Sequence, residues 1–489
     1  MPSASTADWR TALLLFLAVL ALSIPQAALL PLLDRDEPRF AEASREMLQS
    51  GNFIVPTFNG APRYAKPPLT YWCQALAYTI FGENAFAARL PSLLATAATA
   101  CLLMTWGTRL GSAQMGLGAG LSYAFCLQTV QQGRVATADA LLIFFMTLTA
   151  FSGWLIMHPR TPGKNRCACY VVLTLGLAGG FLAKGPEAWL PLSPLLWCAR
   201  GMERGLSAKI IASFPASLAL VLLWAIPACI ETHGDYWRIG LSEGVGERMV
   251  TGLQGHGAST FGWYLIGLPL YFLLFWLSAL PWSPLIILHR KKLFDTWRLD
   301  LADTYLLLNA ALIFLIFTLM VTKLPHYTLP AFPFLALVLA KRWKEIGNSS
   351  GYFTELGWMS AGVFLVVALV FVPLALANHA SPSPVGELVQ QAGNHLEPQT
   401  EFALVDFQEP TAIWEMRRVV KNYGQSISDE DAVFFLKQSG PHAIIISSDV
   451  WNRFKILSSD PLPPLKIYGA RGFNAAKGCF VDLRLIVKS

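Results

Sequence analysis

Charge is scarce in this sequence, and what there is lies in short clusters. Asp, Glu, Lys and Arg make up 14% of 489 residues, whereas hydrophobic residues make up 54%. No soluble core of this length needs that much apolar surface, so the chain reads as a polytopic membrane protein. The net charge of +6 is modest and the basic residues are spread over short loops with no aromatic-interleaved patch. Nucleic acid is therefore not an expected partner. The 8 cysteines give neither a disulfide framework nor a zinc spacing, because all but Cys479 lie in or beside apolar segments. There is no P-loop, GxSxG, HExxH or dinucleotide fingerprint in a fitting context, so ATP-driven, hydrolase and dinucleotide chemistry fall away. Internal repeats and low-complexity tracts are absent too.

What the chain has is apolar runs of helix length. The first, residues 11–33, is longer than a signal-peptide core and has no defensible cleavage site, so it reads as a retained helix. Others follow at 90–110, 113–132, 136–157, 167–183, 186–199, 209–230, 263–288, 304–322, 325–340 and 356–377. Together they predict about 11 transmembrane helices. Arg10, Arg109, Arg160, Lys164, Arg166, Arg200, Arg204, Lys209, Arg290, Lys291, Lys292, Lys341, Arg342 and Lys344 fall in alternate loops, which marks those loops as cytoplasmic.

The opposite loops hold nearly every unusual polar residue: residues 34–66, 131–139, Lys184-Gly-Pro-Glu187, 231–260, Lys323-Leu-Pro-His-Tyr327 and all that follows His379. Longer loops carry more polar residues in any protein, and this accounts for 231–260. It does not account for Asp139 and Lys184, at the edges of apolar segments, where a charge costs roughly 2.5–3.5 kcal/mol. Polar groups gathered on one face mark a catalytic or binding cavity. A transporter or flippase of lipid-linked saccharides would use similar cations, but it tends to show repeats and polar residues near the midplane, so the asymmetry favours an enzyme.

Directly after the first run, Asp34 to Met47 packs eight charges into fourteen residues. Pro38 suits a first helical turn with Asp36 or Glu37 at the cap, and Phe40, Ala43, Met47 and Leu48 then share a face. The pattern predicts an amphipathic helix along the membrane surface with an acidic pair at its start, although a solvated linker helix has the same signature. Such a pair can bind a metal, serve as a general base, or pair with Arg35 and Arg39. Lys66, locked before two prolines in Tyr64-Ala-Lys-Pro-Pro-Leu-Thr-Tyr-Trp72, is either a phosphate binder at headgroup height or a snorkelling lysine. Arg134, Lys184, Lys323, His256 and Tyr327 extend the theme towards a site for a phosphorylated lipid with a carboxylate beside the reacting carbon. Taken singly, His256 also fits a loop histidine and Tyr327 an interfacial anchor.

Past residue 378 the composition changes. His379-Ala-Ser-Pro-Ser-Pro384 reads as a linker, and 379–489 as a small soluble α/β domain with strands at 402–405, 443–446, 465–468 and 480–487. Helices are expected at 410–417, 430–438 and 449–457, the second capped from Ser428.

Five motifs now stand together: Asp36-Glu-Pro-Arg-Phe-Ala-Glu42, Tyr64 to Trp72, Arg134-Val-Ala-Thr-Ala-Asp139, Ala183-Lys-Gly-Pro186 and Lys323-Leu-Pro-His-Tyr-Thr-Leu-Pro330. In this order they resemble the polytopic glycosyltransferases of GT-C fold, within it the aminoarabinose lipid A transferases and protein O-mannosyltransferases. The resemblance implies a transmembrane GT-C domain over 1–378 with periplasmic juxtamembrane helices near 36–82, in the bacterial inner membrane. It implies a polyprenyl-phosphate sugar donor and a lipid A, other glycolipid, glycan or protein acceptor. Asp36 would be the main catalytic carboxylate, supported by Asp139, with Arg39, Lys66, Lys184 and Tyr327 near the donor phosphate and Glu37, Arg134 and Lys323 completing the substrate contacts. One departure concerns the divalent metal that the resemblance places with His256. The aminoarabinose transferases usually carry a Glu before Lys-Pro-Pro to help hold it, and this chain has Ala65.

Overall fold

The computed structural model describes residues 8–33, 35–158, 163–241, 261–294, 299–345, 383–457, 463–474 and 477–488. Their contacts form two compact units, one drawn from Met1–Pro25, Tyr64–Cys73 and Arg89–Leu365, the other from Gln26–Arg63, Gln74–Ala88 and Val366–Ser489.

Among the described residues, six helices are long and apolar enough to cross a membrane: Trp9–Leu29, Ala85–Leu110, Asp139–Met157, Asn165–Ala183, Leu206–Glu231 and Leu301–Leu319. A seventh is added if Tyr264–Ser278 and Trp282–Leu288, bent by 97°, count as one span. The expected 11 is not reached among the described residues because several apolar runs are broken, and the run at 356–377 lies outside them. Residues 186–199 become a 3-10 turn, Pro186–Trp189, and a short helix, Leu192–Ala199. Residues 325–340 divide likewise into Pro325–Ala331 and Phe332–Glu345. In both, proline opens the turn, where it has no N–H to give a preceding helix. The run 113–132 breaks at Cys126, which is extended; the Leu127 N–H instead reaches the Leu280 carbonyl at 2.7 Å.

Small residues let these helices approach closely. A Cβ on Gly107 would lie 2.8 Å from the Gly116 Cα, and one on Gly176 would lie 2.5 Å from the Thr149 hydroxyl. The core centres on the fully buried Trp106, whose ring lies 5.4 Å from Phe151, 6.3 Å from Tyr305 and 6.4 Å from Phe334. Asp139–Met157 and Gly163–Ala183 run antiparallel, so Asp139 and Lys184 stand at the same end of the bundle. Arg166, paired with Glu203 at 2.6 Å, stands at the other.

The second unit holds a five-stranded sheet of β3 (Glu401–Leu404), β4 (Gln425–Ser426), β5 (His442–Ser447), β6 (Leu465–Asn474) and β7 (Cys479–Lys488), after a two-residue hairpin of β1 (Thr57–Phe58) and β2 (Ala61–Pro62). Its order is β4-β3-β5-β7-β6: the first three strands are parallel, and β7 joins β5 and β6 antiparallel. The β6–β7 register runs from Leu465 opposite Lys488 to Asn474 opposite Cys479, so both strands are longer than alternation alone indicates. Helices Pro410–Met416, Asp431–Lys437 and Ser448–Leu457 form where expected, and Ser428 Oγ accepts the Asp431 N–H at 3.2 Å. Pro384–Ala392, capped by Ser383, is a further helix over residues read as linker and domain start.

Asp36–Ser50 belongs to this unit, and its first turn corrects the expected cap. Arg35 occupies the cap position in helical geometry with no side-chain cap bond, and Asp36 and Glu37 lie inside the first turn. Phe40, Ala43 and Met47 are buried, but so are Glu42, Arg45 and Glu46. The charged face is therefore an ionic core contact and not a solvated or headgroup-facing surface.

Candidate active site

In the bundle unit the site begins where Asp139 opens its helix. Lys184 directly follows the antiparallel neighbour Gly163–Ala183, and its Nζ lies 2.7 Å from Asp139 Oδ1. The Thr137 hydroxyl donates to Asp139 Oδ2 at 3.0 Å, so both carboxylate oxygens are engaged. Glu187 stands 3.9 Å from the ammonium, and the Tyr327 ring lies 5.5 Å beneath it. Burial opposes the charge on Lys184, but Asp139 and then Glu187 outweigh it and hold the ammonium above its ordinary range. Gly185, at φ +127°, permits the sharp exit that leaves Lys184 at the helix end.

Tyr327 is buried, with Phe317 5.2 Å away and His326 edge-on at 5.3 Å. Lys323 reaches the carbonyls of Phe317, Thr318 and Met320, where an ammonium satisfies the open end of Leu301–Leu319. It also lies over the rings of Tyr264 and Tyr271, and burial lowers its pKa. Lys66 is 9% exposed, and its own carbonyl accepts the Tyr236 hydroxyl at 2.5 Å. The Tyr64 ring packs edge-on against Tyr236 at 5.4 Å. Thr70, four residues on, donates to the Ala183 carbonyl at 3.4 Å, which brings the Lys66 segment to the end of the bundle that carries Lys184. Arg134 is half-buried in the loop preceding Asp139.

The second unit carries the acidic pair, and its two members differ. Glu37 is buried and accepts the Leu33 N–H at 3.0 Å, whereas the Asp36 side chain is 52% exposed with Arg39 4.0 Å away. Burial lowers the Arg39 pKa, Arg63 adds to this, and Asp36 opposes it. The Arg63 guanidinium in turn lies 5.4 Å over the Phe40 ring.

Pattern reading missed Thr137, Tyr236 and Glu187 as parts of this arrangement. Thr137 had a signal, two residues before the carboxylate within a quoted motif; Tyr236, in a long loop, had none. His256 lies outside the described residues. Ala65 offers no donor atom for a metal, and among the described residues no group of three or more His, Cys, Asp or Glu stands close enough to hold one.

A buried lysine held charged by one carboxylate, at the same bundle end as a second buried lysine, suits an anionic headgroup, and known proteins point the same way. The family described as dolichyl-phosphate-mannose-protein mannosyltransferase matches residues 9–234. The crystal structure of ArnT from Cupriavidus metallidurans bound to undecaprenyl phosphate superposes with a TM-score of 0.73 at 17% identity, over 96% of this chain and 97% of that one. The chain shares the fold of that transferase, and its N-terminal part resembles the mannosyltransferase family. An undecaprenyl phosphate-alpha-4-amino-4-deoxy-L-arabinose arabinosyl transferase of Edwardsiella ictaluri is 29% identical over 387 residues, which cover 76% of this chain and 67% of that protein. One from Pseudomonas fluorescens is 30% identical over 380 residues, covering 75% and 66%. The chain thus spans about two thirds of the length of those relatives.

Proposed function

We propose that the protein transfers a sugar, of which aminoarabinose is the first to test, from an undecaprenyl-phosphate donor to a lipid A-type acceptor at the periplasmic face of the bacterial inner membrane. The observation that carries this is Lys184, buried and charged, gripped by Asp139 and stacked on Tyr327. Asp139 uses one of its three N–H donors, and the ammonium is fixed before any substrate arrives. The side assignment rests on the alternation of basic loops, since Arg166, Lys209 and Lys341 fall in the set read as cytoplasmic.

The reaction is a single inverting displacement. An acceptor oxygen attacks the anomeric carbon, the bond from that carbon to the donor phosphate oxygen breaks, and the bonding pair leaves with the phosphate. Negative charge grows on the phosphate as the bond opens. Lys66 and Lys184 stabilise it there, where preorganised cations contribute most. Arg39 joins them, a role carried by its motif. Asp36, the exposed carboxylate of the pair, takes the proton of a hydroxyl acceptor or orients a phosphate acceptor that is already ionised. Arg134, Glu37 and Lys323 act by shaping the binding surface. Asp139 holds Lys184.

The test is mass spectrometry of lipid bound to the purified protein, wild type against Lys66→Ala. A polyprenyl-phosphate sugar retained by wild type and lost from the variant supports the donor. A bound pyrophosphate-linked glycan would replace the proposal with flipping or bulk glycan transfer.

A further inference from the structure

One short segment of the C-terminal region grips the Asp36–Ser50 helix along its length, and all the contacts lie within the second unit. At the start, Arg35 Nε lies 3.3 Å from Glu409 Oε2, one residue before Asp36. Glu409 is itself buried, and its other oxygen accepts Asn474 Nδ2 at 3.3 Å. Two turns further on, Arg417 Nε donates to Glu42 Oε1 at 3.1 Å, while Arg45 donates to the other Glu42 oxygen. Arg45 also donates to the Trp414 carbonyl at 2.9 Å and lies 4.1 Å over that indole ring. Near the far end, Arg417 reaches Gln49 at 3.2 Å. Glu42 and Arg45 are at most 1% exposed.

We infer that residues 409–417 are a positioning element for the carboxylate at Asp36, working through Glu409–Arg35 at one end and Trp414–Arg45 and Arg417–Glu42 at the other. The physical reason is the arrangement of the ties. A single short helix and its flanks hold the Asp36 helix at residues 35, 42, 45 and 49, which fixes both its axial slide and its rotation. The inner ties are buried charge pairs, which tolerate little displacement because a separated partner is left as a buried unpaired ion. A carboxylate that takes a proton in a displacement must be held to within a fraction of an ångström, and a misplacement of about 1 Å costs on the order of a hundredfold in rate. The inference rests on the catalytic reading of Asp36.

The experiment uses full-length protein in detergent or nanodiscs, with undecaprenyl-phosphate aminoarabinose as donor and lipid A as acceptor. Arg417→Gln is expected to lower kcat roughly tenfold to a hundredfold, and Arg417→Lys should recover part of the loss. In an Asp36→Asn background the same Arg417→Gln change should have almost no further effect, because the group it positions is gone. A folded Arg417→Gln protein with wild-type kcat would overturn the inference. So would losses that multiply with Asp36→Asn, since they make the network merely structural. Where Arg417→Gln does not yield folded protein, Glu409→Gln, which weakens the tie at Arg35 and leaves Arg417 and Trp414 in place, answers the same question. Wild-type turnover by Asp36→Asn alone would instead remove the catalytic reading, and it is read without any variant of 409–417.

Discussion

Lys184 Nζ sits 2.7 Å from Asp139 Oδ1 in a place where both side chains are largely buried, so each charge leans on the other. Removing one partner of a buried pair typically costs about 3–5 kcal/mol, because the survivor is left unpaired. Lys184→Ala and Asp139→Asn should each lower thermal stability by such an amount and abolish measurable transfer. The double variant should regain much of the stability and none of the activity. Melting in detergent alongside donor turnover checks both halves; a double variant no more stable than the singles would mean that the pair does not account for the loss.

Thr137 gives a smaller and more selective effect. Its hydroxyl holds Asp139 Oδ2 at 3.0 Å, and a buried hydrogen bond of this kind is worth about 1–3 kcal/mol when its partner is left unsatisfied. Thr137→Ala should reduce transfer by about tenfold to a hundredfold on that scale, while Thr137→Ser, which retains the hydroxyl, should stay near wild type. Equal activity in the two variants would show that the carboxylate is fixed without this bond.

Those two cases show what a sequence can display. Asp139 and Lys184 were legible because a charge beside an apolar run is costly enough to need a reason, and their alternate-loop positions put them on one face. Their partnership was not legible, since it depends on two helices running antiparallel with the right offset. The Asp36–Ser50 helix was legible as an element from Pro38 and its apolar spacing. Its surroundings were not: Glu42 and Arg45 have the pattern of a solvated face, and only Arg417 and Trp414, about 370 residues later, turn that face into a core. The helix count suffered for a related reason. Apolar length is a property of the sequence, but whether Pro186 or Pro325 ends a span depends on what receives the freed backbone groups.

At the other end of the bundle, Asp300 gives a pH dependence. Partial burial works upward on its carboxyl, but Lys341, bonded at 2.5 Å, and the Asp303 backbone outweigh this and hold it below its ordinary value. A depressed carboxyl contributes stability above the unfolded-state value, about 3.9, and loses it as pH falls through the lower folded value. The melting temperature of Asp300→Asn should therefore lie furthest below wild type near neutral pH, and the gap should narrow as pH falls below about 4. A gap independent of pH would assign the loss to the helix cap alone, since Asp300 also accepts the Asp303 N–H at 2.8 Å.

Gly116 tests how closely two helices must pack. A Cβ there would lie 2.2 Å from the Met104 carbonyl oxygen and 2.2 Å from the Thr108 hydroxyl, and the first of these cannot move without moving the Ala85–Leu110 helix. Overpacking of this sort costs about 1–3 kcal/mol, so Gly116→Ala should melt earlier by that amount and Gly116→Val by more. Thr108→Ala in the Gly116→Ala background should restore only part of the loss, because it clears the hydroxyl and leaves the carbonyl. Full restoration would locate the clash in the side chain, and no loss in Gly116→Ala would mean that the two helices can separate without penalty.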